Sequence, residues 1–378
     1  MTKQQSLLAR PYEPLTGEPA VFSVRDLRRA AAAGPPITIG SGLSGRKFEG
    51  APSAALRHAL RALASEAGIG LRGVKLLRPL VAHAHEVLRK RLEAGGSVED
   101  YLRGRARLAD SAVVGLLHLA AISTRMLGYS MVTPIAAVAV GGYGRRELAP
   151  GSDLDLLFLL PESGQSRDVP IAVAACIKAV VAGLWDLGFV MDHAARSPQE
   201  CIELARHEPT VLASLVDRRF LWGGFGLFSV LDADLAGLFS GPLAASWKSA
   251  LSSALTSTPH GAWTPEDEPD VKRGPGGLRD LQRALLADSL APGRPPALPE
   301  PTLIEAHRFL WLVRCHLHLL AGRAEDRLGS ALQPGVARRL GFDEPRGATG
   351  TSHLMQLFHR HAHNVLQAAA RATISVAA

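Results

Sequence analysis

Residues 139–157 read AVGGYGRRELAPGSDLDLL and carry the strongest structural pattern of the chain. An apolar stretch runs into the pair Gly141-Gly142, and after a polar spacer a second apolar stretch carries Asp153 and Asp155. Alternate side chains of a strand share one face, so both aspartates point the same way while Leu154 and Leu156 face the core. The pattern predicts two strands joined by a glycine turn, with two carboxylates on one face.

These residue types suit the binding of a nucleoside triphosphate through a metal ion. Two neighbouring carboxylates repel each other and lose hydration unless a cation lies between them. Glycines let the backbone approach a phosphate closely and leave its N–H groups free to bind it. Asp153 and Asp155 are therefore candidate Mg²⁺ ligands, and Gly141, Gly142 and Ser152 are candidate phosphate-binding residues. The alternative is a glycine-rich turn with two solvated aspartates, but the ordered combination is more restrictive than either part and favours catalysis.

At these residues the sequence resembles a known family. The string at 140–157 resembles the signature of the nucleotidyltransferase superfamily, and in detail that of the bacterial PII uridylyltransferase/uridylyl-removing enzymes. A second string, EPDVKRGPGGLRDLQ at 268–282, is similar to another hallmark of that branch, shared in looser form with glutamine synthetase adenylyltransferase. The resemblance extends over most of residues 71–365, including His318 and Gln333, and it fades in the first fifty residues.

The resemblance implies both a fold and an activity. The fold is α+β: a polymerase-β-like α/β nucleotidyltransferase core with flanking N-terminal helices and a C-terminal helical domain. The activity is uridylyl transfer from UTP to a tyrosine of a PII nitrogen-regulatory protein, with Mg²⁺ as cofactor and release of pyrophosphate. Adenylyl transfer to glutamine synthetase or another protein is an alternative, and so is a non-catalytic nucleotide- or PII-binding module. No residue of the sequence can be tied to uracil over adenine.

Further acidic and basic residues are candidates for the same reaction, which needs an aligned triphosphate, charge neutralisation and an activated hydroxyl. The superfamily adds a third carboxylate on a neighbouring strand, and Asp192 is the candidate here, with a surface aspartate at a strand end as an equal alternative. The resemblance places glycine there in the uridylyltransferase branch and aspartate in the adenylyltransferase branch. Arg145 could neutralise pyrophosphate or lie on the surface, and Asp217 is expected to be structural, paired with a local arginine.

The second string predicts an anion site. Lys272 precedes a glycine-rich turn, and a helix is expected to begin just after that turn, where free N–H groups attract anions. Lys272, Gly276, Gly277 and Arg279 are therefore candidate nucleotide-binding residues in a loop that closes over the nucleotide. The alternative is an ordinary glycine turn. His318 is expected to be a buried, hydrogen-bonded histidine.

Composition limits the functional classes. The chain of 378 residues has 47% hydrophobic residues and a net charge of +7, which suits a site for polyanions. Aromatic residues make up only 5%, and the arginines are scattered, so a dedicated nucleic-acid surface is not supported. The three cysteines lack metal or disulfide spacing, and residues 1–5 are not followed by an apolar signal core. Together these features predict a cytoplasmic protein with buried thiols. The most apolar window, 171–191, contains Lys178 and Asp186 and predicts a buried helix, not a membrane span.

The pattern along the chain predicts four parts: a poorly ordered leader at 1–52, a helical region at 53–128, the nucleotidyltransferase core at 129–235 and a helical substrate domain at 236–378. Within them we predict strands at 135–140, 154–160 and 188–195, and helices at 98–126 and 169–187. The remainder after residue 196 is predicted to be mainly helical.

Two departures from the family accompany the resemblance. Arg146 stands where the family commonly has glycine, so its side chain either is harmless or narrows the phosphate pocket. The full-length family enzymes continue into an HD phosphohydrolase domain and two ACT domains. The dipeptide His-Asp does not occur in this sequence, so uridylyl removal and glutamine sensing by those domains are expected to be absent. A truncation, an excised piece and a stand-alone paralogue are all compatible with that expectation.

Overall fold

The computed structural model describes residues 54, 56–57, 70–126, 135–162, 170–240, 246–247, 249, 268–289, 300–342 and 348–377. The leader predicted at 1–52 lies outside the described residues, and so do the domain boundaries predicted at 52/53 and 128/129. The boundary predicted at 235/236 falls within a helix that continues to Ser240.

The chain begins its described part with a 3-10 helix, Gly70–Leu77, followed by α1 (Arg78–Glu93) and α2 (Val98–Met126). The α/β part then consists, in chain order, of β1 (Ala136–Ala139), α3 (Gly141–Gly144), β2 (Leu154–Leu159), α4 (Ile171–Leu187), β3 (Met191–Arg196), α5 (Pro198–His207), α6 (Pro209–Val216), β4 (Arg219–Gly223) and α7 (Phe225–Ser240). The remaining described elements are the helices α8 (Leu278–Ser289), α9 (Pro301–Ala321), α10 (Gln333–Arg339) and α11 (Ala348–Ala377).

The four strands form one mixed sheet in the order β3-β2-β1-β4. β1 runs antiparallel to β2 and β4, whereas β2 and β3 are parallel. The protein is thus an α+β protein, as predicted, and β1 to β3 and α2 lie close to their predicted positions. The expectation of mainly helical structure after residue 196 is wrong at β4. Its five residues pair with β1, some eighty positions earlier, and a short apolar run gives no local sign of such a partner.

Helices cover both faces of the sheet. On one face Leu154, Leu156 and Phe158 pack with α2 and α4, and on the other Leu157 and Leu159 pack with α5, α6 and α7. Because β2 is buried on both faces, its sequence is nearly continuously apolar instead of strictly alternating. The three cysteines are buried, as predicted.

The helix α2 belongs to two hydrophobic cores. Its first turns, with Tyr101 and Leu102, pack into a core built mainly by α8 to α11. Its later turns, with Leu108 and Leu116, pack into the core on the face of the sheet that α4 also covers. Among the described residues, α2 is also the helix whose length and composition would allow a membrane crossing, over Val98–Ser123. However, 56% of its apolar stretch is buried inside the protein. It packs as a core helix.

Arg219 fixes the glycine turn that follows β1. Its guanidinium makes two hydrogen bonds to Asp110 of α2, at 2.9 and 3.0 Å, and donates to the carbonyl oxygens of Tyr143 and Gly144, both at 3.1 Å. The ring of Tyr143 lies fully buried beneath this guanidinium. Gly144 is required for close approach, because an added Cβ would lie 1.7 Å from the carbonyl oxygen of Asp217. The turn is therefore held from α2, from β4 and from the end of α6.

Arg146 adopts a left-handed backbone conformation, with φ of 64°. This conformation costs an L-residue roughly 1–2 kcal/mol, whereas glycine adopts it freely. The side chain of Arg146 is exposed and does not line the cleft described below, so it does not narrow a phosphate pocket. The glycine common at this position in the family is thus explained by the backbone.

We expect Arg146→Gly to raise the free energy of unfolding by about 1 kcal/mol, since it relieves the left-handed strain while removing only an exposed side chain. Urea denaturation measures the change. Arg146→Ala is the matched control, because it removes the same side chain and keeps the strain. Equal stability of the two variants would contradict the backbone explanation.

Candidate active site

A cleft of about 480 Å³ opens between the glycine turn α3, the start of β2, and the helices α6, α8 and α9. Eight of the residues predicted from the sequence line it together: Gly141, Gly142, Arg145, Ser152, Asp153, Asp155, Lys272 and Arg279. Three others do not line it: Asp192, Gly276 and Gly277. The two sequence strings, more than a hundred residues apart, therefore meet at one site.

Asp155 lies near two other carboxylates, those of Asp153 and Asp192, on the acidic side of the cleft. It lies on β2 in register with Asp192 on the parallel strand β3, so the two side chains leave the same face of the sheet. Burial, and then repulsion by Asp153 and Asp192, raise the pKa of Asp155 to about 6. An added Cβ on Gly141 would lie 3.3 Å from its carboxylate oxygen Oδ2, so the carboxylate adjoins the glycine turn.

The oxygen donors of Asp153 and Asp155 suit a hard divalent cation, and the repulsion between them is what such an ion would remove. Within the described ranges, neither carboxylate forms an ion pair with an arginine, lysine or histidine, and no three acidic, histidine or cysteine side chains stand close enough to hold a metal. Asp192 is exposed, and its Oδ1 accepts a hydrogen bond from the N–H of His193 at 2.8 Å. The residues present thus fit a metal held by the Asp153/Asp155 pair, with Asp192 beside it.

A network of four polar side chains surrounds Arg145. The guanidinium pairs with Glu147 and Asp217, both at 2.5 Å. Asp217 also accepts a hydrogen bond from the amide of Gln282 on α8 at 2.7 Å, and Glu147 lies 2.9 Å from Nε2 of His307 on α9. Burial opposes the charge of Glu147, but His307 and Arg145 lower its pKa to about 2. Asp217 is paired with an arginine, but the partner is Arg145, 72 positions earlier in the chain, and not the local arginine that the sequence predicted. Arg145 lines the cleft, and through these contacts it connects α6, α8 and α9.

Three contacts hold the loop that precedes Asp153. The hydroxyl of Ser152 accepts a hydrogen bond from the N–H of Ala149 at 3.1 Å. Arg105 of α2 donates to the carbonyl oxygen of Pro150 at 2.9 Å. The N–H of Gly151 donates to Nδ1 of His318 at 3.1 Å. His318 is buried and hydrogen-bonded, as predicted.

Lys272 and Arg279 form the basic side of the cleft. Burial lowers the pKa of both groups, and the nearby arginines lower it further. Lys272 lies 3.9 Å from Asp326, and Arg279 makes no ion pair with the acidic residues that the structure describes. Burial and the neighbouring positive charges disfavour the charged forms of Lys272 and Arg279, and an anion bound between them would offset both effects. The two side chains are therefore favourable partners for phosphate oxygens.

Gly276 and Gly277 shape the turn that carries these cations. Gly276 has φ of 71°, and an added Cβ would lie 2.2 Å from the carbonyl oxygen of Ala362 in α11. An added Cβ on Gly277 would lie 2.7 Å from the carbonyl oxygen of Val271. The N–H of Gly276 donates to the buried carboxylate of Asp280 at 2.8 Å, so that acid closes the turn. The structure places both glycines against protein backbone, outside the cleft lining.

Sequence reasoning did not single out several cleft residues that the structure brings in: Glu147, Gln282, His307 and Arg314. Glu147 and Gln282 lie inside the two quoted strings, and a buried polar residue next to a glycine turn is a usable signal. His307 lies on α9, 160 residues from its partner Glu147 in the first string, and Asp326, in the loop after α9, contacts Lys272 of the second string. No local pattern indicates such contacts.

Comparison with known proteins shows which proteins this chain resembles. The family model for the GlnD PII-uridylyltransferase matches residues 301–372, and the nucleotidyltransferase model DUF294 matches residues 82–207. The chain contains a nucleotidyltransferase domain related to that of the PII uridylyltransferases. The resemblance drawn from the two sequence strings is thereby confirmed. The DUF294 match spans α2, the glycine turn, the Asp153/Asp155 pair and β3 of this nucleotidyltransferase.

The curated relatives of the nucleotidyltransferase are long proteins. The bifunctional uridylyltransferase/uridylyl-removing enzyme of Azospirillum brasilense is 34% identical over 315 residues, which cover 76% of this chain and 32% of the relative. Those of Cereibacter sphaeroides and Phenylobacterium zucineum are 36% and 32% identical and cover 70% and 83% of this chain. The chain spans about a third of the length of these relatives.

We expect Asp155→Asn to stabilise the metal-free protein at pH 7 by roughly 1–2 kcal/mol, a value discounted for partial exposure. In the folded protein the pKa of Asp155 is raised from 3.8 to about 6, so the folded state takes up a proton between about pH 6 and pH 4 and the unfolded chain only below that. The charged carboxylate therefore lowers the free energy of unfolding at pH 7, and this effect fades as the pH falls towards 4.

Urea denaturation in EDTA at several pH values measures the difference between Asp155→Asn and the wild type. Asp186→Asn, at an exposed residue of α4 outside the cleft, is the matched control, because it removes a carboxylate that does not adjoin Asp153 or Asp155. A destabilised Asp155→Asn at pH 7 would contradict the repulsion.

Proposed function

We propose that the protein is a cytoplasmic, Mg²⁺-dependent nucleotidyltransferase with a polymerase-β-like core, which transfers a uridylyl group from UTP to a tyrosine hydroxyl of a PII-type signalling protein. One observation carries the proposal: Asp153 and Asp155, which have no cationic partner among the described residues, line the same cleft as Lys272 and Arg279. The relatives named above support the choice of UTP and of a PII acceptor.

The cleft divides the work of this reaction between its two sides. The acceptor oxygen attacks the α-phosphorus, a new P–O bond forms, and the bond to the bridging oxygen of the β-phosphate breaks as pyrophosphate leaves. A bound Mg²⁺ would neutralise charge on the phosphate oxygens. Lys272 and Arg279, on the basic side, bind the leaving pyrophosphate, and the backbone at Gly141 and Gly142 lets the phosphates approach closely.

The proton of the acceptor hydroxyl needs a base. Asp192 lies beside Asp155 on the neighbouring strand and is exposed, so it can receive an incoming hydroxyl at the rim of the cleft. We propose Asp192 as that base. Asp192→Asn should then lower kcat and leave the affinity for the nucleotide unchanged, since this carboxylate is not part of the cleft lining.

We expect label from α-labelled UTP, and not from ATP, CTP or GTP, to appear on a PII protein in the presence of Mg²⁺. Asp153→Asn and Asp155→Asn should each abolish transfer without loss of the fold, because either change halves the carboxylate pair. Gel autoradiography measures transfer, and circular dichroism measures folding. Asp186→Asn serves as the control substitution outside the cleft.

The nucleotide panel also separates the alternatives. Transfer from ATP to glutamine synthetase or to another acceptor would replace uridylyl transfer by adenylyl transfer. Binding of nucleotide or of PII without any transfer would identify a non-catalytic module. Retained transfer in either aspartate variant would refute the metal assignment.

A further inference from the structure

His318 connects the helical part of the protein to the loop before Asp153. Its side chain is completely buried, near the end of α9. Nδ1 accepts a hydrogen bond from the N–H of Gly151, two residues before Asp153, at 3.1 Å. Because Nδ1 accepts, the ring proton of the neutral histidine is on Nε2, which lies 3.2 Å from Oδ1 of Asp326. Burial lowers the pKa of His318, which favours this neutral form.

The same loop makes a tight backbone contact beside this hydrogen bond. An added Cβ on Gly151 would lie 2.6 Å from the backbone nitrogen of Ala324, in the segment that follows α9. The loop before Asp153 is therefore fixed in position by a hydrogen bond at its amide and by close packing at its Cα. Both contacts come from α9 and the segment after it, which lie far from the first sequence string in the chain.

Asp326 carries the connection to the basic side of the cleft. Its Oδ1 accepts a hydrogen bond from Nε of Arg314 at 2.7 Å, and its Oδ2 lies 3.9 Å from Nζ of Lys272. Its backbone carbonyl accepts from the N–H of Val271 at 2.8 Å, next to Lys272 in the chain. One residue thus contacts both His318 and the segment that presents Lys272.

We propose that His318 is a positioning residue: through the N–H of Gly151 it fixes the loop before Asp153, and its contact with Asp326 sets the tautomer that leaves Nδ1 free to accept that hydrogen bond. This inference rests on the proposed function, in which Asp153 holds the metal and Lys272 binds phosphate. His318 would affect the rate through the position of the loop, because a displacement of about 1 Å at a reacting group can lower the rate about 10²-fold.

Two substitutions separate the contacts of His318. In His318→Asn the amide oxygen can take the place of Nδ1 and accept from Gly151, while the contact with Asp326 is lost. In His318→Gln the longer amide can take the place of Nε2 and donate to Asp326, while Gly151 loses its partner. Both variants remove the ring from the same buried site, and His318→Asn leaves the larger cavity, so a cavity effect alone would lower activity more in His318→Asn, opposite to the expected order.

We expect His318→Gln to lower kcat for nucleotidyl transfer about 10²-fold and to leave KM for the PII acceptor unchanged. His318→Asn should keep most of the activity. Hydrogen exchange should show faster exchange of the Gly151 amide in His318→Gln and protection retained in His318→Asn. Equal loss of kcat in both variants, or a larger loss in His318→Asn, would overturn the proposal, and so would unchanged exchange at Gly151 in His318→Gln.

The exchange measurement keeps this inference separate from the proposed function. If the wild-type chain transfers no nucleotide to any acceptor, the proposed function fails. The affinity for Mg²⁺ and UTP, measured by calorimetry in the same two variants, then tests the positioning role: weaker binding in His318→Gln alone supports it. If the wild type does not bind the nucleotide either, exchange at Gly151 decides whether His318 holds the loop.

Discussion

Desolvation of carboxylates governs the arrangement of the cleft. Glu147, Asp217 and Asp326 are all at least three-quarters buried in their side chains, and each is neutralised by a cation or a hydrogen-bond donor from another element. A buried charge without such a partner costs several kcal/mol. The pairs therefore fix α3, α6, α8, α9 and the loop after α9 around one volume. Asp153 and Asp155 stand out in that volume because no described cation pairs with them.

The presence of a cationic partner separates the paired acids of the cleft from Asp153 and Asp155, the candidate catalytic acids. Where burial is outweighed by partners, as at Glu147, the pKa falls and the carboxylate stays charged; at Asp217 burial outweighs the partners, and the pKa is raised although the acid is paired. Where burial is not compensated, as at Asp155, the pKa rises, and the folded protein retains an unfavourable charge. Such uncompensated sites are typical of functional positions. The stability of the protein and the chemistry of the cleft thus oppose each other at Asp155.

The sequence predicted the parts of this site that depend on local patterns. The alternation around Asp153 and Asp155, the bounds of α2, the start of α8 and the burial of His318 all follow from residue periodicity, glycine placement or the family resemblance. Long-range contacts were beyond its reach. The pairing of β4 with β1, the contact of His307 with Glu147 and the packing of Gly276 against α11 join residues far apart in the chain, and each depends on the final three-dimensional packing.

The membership of α2 in two hydrophobic cores has a thermodynamic consequence. A helix of 29 residues is about 44 Å long, and it is rigid over that length because each turn is hydrogen-bonded to the next. Loss of either core would expose an apolar stripe on the same helix and weaken the packing of the other. The sheet layer and the C-terminal helices should therefore unfold in a single cooperative transition, although each has a core of its own. The acidic and the basic side of the cleft, which come from different parts of the chain, should therefore form and unfold together.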